Sequence, residues 1–392
     1  MREFTILVLL LLTLGTPYVG KAQEPPYYVF FVSERDKQVD GEQNRYFSEI
    51  YRMNPDGSNQ IRLTTNEGYE EFLDAIPQQN KISFTYTEKD DSEIAWMDYD
   101  GSGLENLTED YDNYDSYPEF NKAGTMLFYT SWPRYETTDK QTDSEIFMLD
   151  IESRVKKKLT DNSETDYFPT LSPDETEIMF LHRRKQISGD IFSYSYYHYV
   201  FTYNIIRDVI HYCELDNLEQ GAIYSDKYDY YSIEYSPDGN YIGTIIATSD
   251  NVRNAVLLNW EGDKAITQTP DSYGICNGIQ FTEDNSKFVF SCHPYGGIND
   301  YHFYVMDLRN GYKISKLPVE GFTIVDFDVS PDSKTIFFSA LKYGTEEALK
   351  EWNKIELFSI SIDGSDLKKI TENDSADYNV TIAGITTNDS EE

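Results

Sequence analysis

Four carboxylates share one position in an internal pattern. Glu71, Asp115, Asp166 and Asp377 each stand five places before a large apolar residue (Ile76, Phe120, Leu171 and Ile382), and Phe72, Tyr117, Tyr167, Phe168 and Tyr378 accompany them. Convergent carboxylates beside aromatic faces suit a cation, a basic peptide or a sugar, whose C–H faces stack on rings. Aspartate also caps turns and keeps an acidic chain in solution, so the same residues have a purely architectural reading. A second candidate is Ile191 to Tyr203, where Tyr194, Tyr196 and Tyr197 stand in an insertion dense in Tyr and Phe. Long loops on rigid scaffolds carry recognition, and clustered Tyr favours interfaces. Phe192 to His198 is expected to protrude, and Tyr199 to Tyr203 to form a strand.

Catalytic chemistry is harder to place. His182, His198, His211, His293 and His302 fall in no paired ligand spacing, although His293 and His302 flank one expected loop. A nucleophile elbow of the Gly-x-Ser-x-Gly type is absent from the sequence. Asp98, Asp100, Ser102, Gly103 and Glu109 match the ligand spacing of a calcium loop. The stretch Asn54 to Thr65, one repeat earlier, keeps the turn but puts Asn59 and Thr65 where Gly103 and Glu109 stand, so a hairpin explains both. No catalytic residue, cofactor or resident metal is assigned, and a divalent cation at the acidic residues stays an open alternative. Cys276 and Cys292 flank one expected hairpin; they pair across it, or stand as two buried thiols if the register slips by one.

The elements that position these residues follow from self-similarity. Ser-Glu-Ile recurs at Ser48, Ser92 and Ser144, each followed at constant spacing by Leu63-Thr64, Leu107-Thr108 and Leu159-Thr160, with Ile370-Thr371 as a late copy. Turns of the Ser-Pro-Asp type, three intact and three degenerate, begin at positions 77, 121, 172, 236, 282 and 330. Asp-Gly turns at Asp56, Asp100 and Asp363 reverse the chain between a third strand and a short outer one. Units of four strands repeating every 40 to 50 residues predict an all-β chain, a β-propeller of antiparallel blades. Second strands are expected to begin near Tyr28, Lys81, Thr125, Glu177, Tyr241, Lys287 and Thr335, which makes seven blades. Only six have an inner strand before them. Asp377 to Ala383 reads as the missing one, inserting into blade one and closing the ring; six full blades with a frayed tail is the alternative.

The Ser-Pro-Asp-Gly turn, the run from Ile50 to Ser58 and the closing Leu-Thr resemble the TolB-like, WD-related propeller repeats. The likeness runs from about residue 27 to residue 384. It does not extend to an α/β domain like that preceding the propeller of TolB, because only Gln23 to Pro26 separate the first strand from residues 1–22. The resemblance implies a propeller fold. It also implies an alternative activity, since some seven-bladed members are metal-dependent polysaccharide lyases with His and Gln ligands in the channel.

Composition narrows the partners. Lys and Arg number 33 against 69 Asp and Glu, a formal charge of −36, which excludes a phosphate-backbone or anionic-membrane binder. Aromatics make up 15% of the chain, which excludes a disordered acidic one. Arg2, the apolar run from Ile6 to Leu14 and the small-x-small triplet Gly20-Lys21-Ala22 read as a secretory signal. The expected organisation is a signal peptide over 1–22, a propeller over 23–384 and an acidic tail over 385–392. The expected function is an exported, periplasmic or extracellular, monomeric binding or scaffold module for a protein or carbohydrate ligand. No nucleic-acid partner and no membrane span are expected.

Overall fold

The computed structural model describes residues 25–36, 47–66, 68–88, 91–109, 112–133, 143–183, 208–222, 229–249, 252–260, 265–294, 300–342 and 354–386. These residues build antiparallel sheets joined by turns. The innermost strands are Tyr69–Ile76 (blade two), Asn113–Phe120 (three), Thr165–Leu171 (four), Asp229–Tyr235 (five), Ile275–Phe281 (six), Phe322–Val329 (seven) and Asp377–Gly384 (one). Second strands follow at Lys81–Glu88, Met126–Pro133, Glu177–Arg183, Tyr241–Ser249, Lys287–His293 and Thr335–Lys342, and blade one takes Tyr27–Ser33. Blades five and six share a sheet only through one parallel pairing, Arg253 with Ile275.

The turns form for the reasons their sequence suggests. In the Ser-Pro-Asp turns of blades four, five and seven, the Ser hydroxyl donates to the Asp two residues on, at 2.7, 2.8 and 2.6 Å. Second strands are apolar on both faces because each blade is packed on both sides; Ile178, Met179, Phe180 and Leu181 are all fully buried. The core is accordingly divided between blades. Phe30 and Ile50 of blade one meet Ile82 and Phe84 of blade two, and Phe128 and Ile146 of blade three meet Ile178 and Phe180 of blade four. Tyr27, Val29, Val380 and Ile382 of blade one meet Phe337 and Leu357 of blade seven. The outermost strands are short, and Lys156–Lys158, Lys313–Lys316 and Lys368–Lys369 are rich in lysine, which discourages pairing with another chain.

The tail fastens to the head. Asp377–Gly384 pairs antiparallel with Tyr27–Ser33, from Tyr27 opposite Gly384 to Ser33 opposite Asp377. The seven innermost strands touch their neighbours in a closed cycle, blade seven against blade one and blade one against blade two.

Two expectations gain detail here. Cys276 lies directly opposite Cys292 and the two are disulfide-bonded, so the register does not slip. The third strand of blade four is Asp208–Glu214, not Tyr199 to Tyr203, since Glu214 to Asp208 run opposite Glu177 to Arg183. Tyr199 to Tyr203 lie outside the described residues, as do Tyr194, Tyr196 and Tyr197. Among the described residues no helix is long and apolar enough to cross a membrane.

Candidate functional site

The recurring Ser-Glu-Ile and Leu-Thr landmarks are two halves of one clasp. The Thr hydroxyl accepts the backbone N–H of the residue after the Glu: Thr64 from Ile50 at 2.8 Å, Thr108 from Ile94 at 2.9 Å, Thr160 from Ile146 at 3.0 Å and Thr371 from Leu357 at 2.9 Å. It donates in turn to the Glu, to Glu145 at 2.6 Å and to Glu356 at 2.8 Å. The other oxygens of Glu145 and Glu356 accept the backbone N–H of Asn162 and Asn373. Those asparagines donate from their side chains to Asp166 and Asp377, both at 2.7 Å. One relay thus runs from the third strand of a blade to the inner strand of the next.

Of the four carboxylates, Asp166 and Asp377 thereby take the architectural reading. Asp166 and Asp377 have no exposed surface and Asp115 has 1%. Asp166 meets Nδ1 of His182 at 2.5 Å, and Glu164 meets the other ring nitrogen at 2.6 Å. Burial opposes the charged imidazole, but the two carboxylates outweigh it and hold His182 above its ordinary pKa. Asp377 accepts from Ser33 at 2.5 Å and takes the Arg35 guanidinium on both oxygens, at 3.0 and 2.9 Å. The Arg35 guanidinium also stacks 4.6 Å from the Tyr51 ring centroid. Two of the carboxylates thus have filled hydrogen-bonding partners and belong to the framework.

Glu71 is displaced from this set. The buried acid of blade two is Glu70, to which Asn66 donates at 2.6 Å, as Asn162 does to Asp166. Burial pushes Glu70 up to about 8 and Glu71 to about 7. Counting back from Ile76 misplaced the acid because this inner strand continues one residue further before its turn at Pro77–Gln79. An Asn four residues before the acid (Asn66, Asn162, Asn373) is the sequence signal that identifies it. Glu71 instead stands next to the bulge, close enough for its charge, with those of Glu34 and Glu70, to add to burial in raising the Tyr378 hydroxyl.

Two residues beyond each clasped acid the inner strand changes register against the second strand, and all seven inner strands carry such an irregularity. At this bulge Phe72, Tyr117 and Phe168 have φ of 51°, 56° and 56°, Asn379 has 52° and Gly278 has 63°. Glycine and asparagine suit this left-handed region; bulky aromatic residues do not. The aromatic bulges come from three consecutive blades and touch. Ring centroids of Phe72 and Tyr117 lie 4.2 Å apart and those of Tyr117 and Phe168 4.1 Å apart. Trp132 stands 5.9 Å from Tyr117 and Tyr167 5.1 Å from Phe168, with Arg183 over the Tyr167 ring at 4.9 Å. Phe72, Tyr117, Phe168 and Trp132 are all partly exposed. Of the residues proposed from sequence, Phe72, Tyr117, Tyr167 and Phe168 are brought together.

A further carboxylate set was not anticipated. Asp74, Glu119, Glu234 and Asp328 each accept a backbone N–H from another inner strand, those of Phe120, Leu171, Phe281 and Ile382 at 3.3, 3.0, 3.1 and 2.7 Å. Burial raises all four above the ordinary carboxylate range, with lesser repulsion from neighbouring carboxylates. Acids two or three places before the turn were visible in the sequence, but not that they reach the neighbouring blade. Each stitches two blades together.

The remaining candidates have structural surroundings. Asp98 pairs with Lys81 at 2.6 Å, and Asp100 accepts the Ser102 amide and hydroxyl, so this stretch forms a hairpin turn. His182 stacks on His211 at 4.1 Å in blade four, while Nδ1 of His302 in blade six donates to the Val319 carbonyl at 3.0 Å. Among the described residues no group of three or more His, Cys, Asp or Glu side chains is arranged to hold a metal ion.

No protein-family model and no curated protein matches the chain. Solved structures do. An oligogalacturonate lyase in complex with manganese aligns with a TM-score of 0.61 at 12% identity, over 90% of this chain and 87% of that one. The β-propeller domain of the trilobed protease from Pyrococcus furiosus, whose topology is described as open velcro, gives 0.59 at 13%, over 89% and 96%. TolB from Acinetobacter baumannii gives 0.52 at 13%, over 91% of this chain but 66% of that one. At such identities the likeness shows the fold alone, a TolB-like β-propeller.

Proposed function

We propose that the chain is an exported, non-catalytic binding module that holds a protein or carbohydrate ligand against the aromatic bulges of blades two to four. The observation that carries this reading is the contact of Phe72, Tyr117 and Phe168 from three separate blades, each in a conformation that blade six assigns to glycine. Holding a bulky residue there costs on the order of 1–2 kcal/mol, and strain of this kind gathers at recognition sites. The partly exposed rings offer faces for the C–H surface of a sugar or the side chain of a peptide.

The charge balance separates this from the lyase alternative. A chain of formal charge −36 repels a polyanion such as an oligogalacturonate. The described histidines also fall in two blades, and His182 is engaged by Asp166 and Glu164. Export rests on residues 1–22, and a mature N-terminus at Gln23 by mass spectrometry would bear it out.

Calorimetric titration of the mature chain with neutral oligosaccharides and short uncharged peptides tests the binding site. A saturable ligand is expected, with at least a tenfold loss of affinity in Tyr117→Ala and Phe168→Ala. Affinity unchanged in both variants would remove the aromatic arc as the site.

A further inference from the structure

A cavity of about 410 Å³ opens between blades four and five, and none of the bulge residues lines it. Four carboxylates (Asp174, Glu177, Glu214 and Asp216) and two aromatic residues (Tyr235 and Trp260) account for most of its lining. We propose that this cleft binds an organic cation, a primary ammonium or guanidinium group.

The argument begins with register. Glu177 lies directly opposite Glu214 on adjacent strands. The same rung in blade two pairs Lys81 with Asp98, joined at 2.6 Å, and in blade six Lys287 with Asp307, joined at 2.5 Å. Opposite charges at that rung stabilise a sheet and like charges destabilise it. Blade four therefore places a repulsive pair where two sister blades place an ion pair, and it does so on the wall of a cavity. Blades three, five and seven place at most one charged residue at that rung (Met126 with Asp150, Tyr241 with Asn259, Thr335 with Ser361), so among these blades the like-charged pair is peculiar to blade four.

The other walls supply the means of recognition. Tyr235 is more than nine-tenths buried, and its hydroxyl finds Glu177 only at 3.5 Å, long for an O–H···O bond. Its ring lies 5.4 Å from that of Trp260 at 40°, so two π faces flank the carboxylates, an arrangement that attracts organic cations. Asp174 accepts from Ser172 and Thr176, and Glu214 from Asn217, all neutral donors. Among the described residues no Lys, Arg or His forms an ion pair with any of the four acids. Burial, then repulsion from Asp174 and later Glu214, raises Glu177 to about 7, the direction expected of a carboxylate whose counter-charge comes from outside.

The test uses the mature full chain. Calorimetry is run with 1,4-diaminobutane, with blocked tripeptides bearing central Lys or Arg, and with their acetyllysine and citrulline counterparts. A cationic probe is expected to saturate the site and its neutral counterpart is not. Saturation by the free diamine assigns the cleft to small amines, and saturation by the tripeptides alone assigns it to a basic segment of a partner. Affinity is expected to fall at least tenfold in the Glu177→Gln/Glu214→Gln variant. Glu177→Lys rebuilds the rung of blades two and six, so it should abolish binding and raise the melting temperature. No saturable binding, equal binding of the neutral probes, or binding retained in Glu177→Lys would overturn the proposal.

Discussion

Two residue sets lie two positions apart on the same inner strands and do opposite things. Glu70, Asp166 and Asp377 are buried, accept from an Asn four residues earlier and tie one blade to the next. Phe72 and Phe168, two residues on, together with Tyr117 in blade three, sit in left-handed bulges with partly exposed rings. The acids obey the repeat, and in doing so they disclose the fold. The aromatics keep the repeat's bulge in a left-handed backbone that suits glycine or asparagine, as at Gly278 and Asn379. A residue that recurs with the architecture is best explained by it; one that strains the architecture calls for another reason.

The largest expected effect breaks the first set. Asp377→Ala leaves Arg35, Ser33 and Asn373 without their acceptor at the point where tail meets head. Removing one member of a buried, hydrogen-bonded pair costs about 3 kcal/mol or more, so chemical denaturation should show a loss of that order. A loss within about 0.5 kcal/mol, typical of surface changes, would mean that Asp377 is no framework residue.

A medium effect separates the sets by pH. Folding raises the pKa of Glu70 to about 8 and of Glu71 to about 7, so each contributes stability that is complete below the unfolded value and is lost as pH climbs through those values. His182, also raised, loses its contribution in the same direction above its unfolded value. The turn acids Asp56, Asp174 and Asp363 are lowered by their Ser neighbours and are affected only on acidification below the ordinary carboxylate range. Melting temperature should therefore fall by several degrees between pH 5.5 and pH 8.5. A flat profile there would contradict the buried placement of these groups.

The smallest effect concerns the second set. Phe72→Gly removes a ring contact but relaxes a left-handed backbone, so the two changes offset to within about 1 kcal/mol. A loss of several kcal/mol on denaturation would show Phe72 to be core rather than surface.

The fold was legible because its signals are local. Pro and Asp in the turns, the strand starts, and the Asp377 to Ala383 echo of Asp166 onward can all be read along the chain. The facing Cys276 and Cys292 needed the register, which the sequence left open. The site was less legible. A bulge arises from pairing with a distant strand, so no local pattern announces that Tyr117 and Phe168 turn left-handed, nor that Glu119 reaches the Leu171 amide. The one-residue displacement of Glu71 arose where strand length, invisible locally, differed between blades. The unlike rung at Glu177 and Glu214 became apparent only once Lys81 with Asp98 was seen to occupy the same place.

Stability and affinity measured side by side on Asp166→Asn and Phe168→Gly test the division of labour most directly. The first variant should melt well below the parent yet bind the channel ligand with undiminished affinity at temperatures where it is folded. The second should melt close to the parent and lose at least tenfold in affinity. Losses that run in parallel in both variants would contradict the assignment of framework to the acids and recognition to the rings.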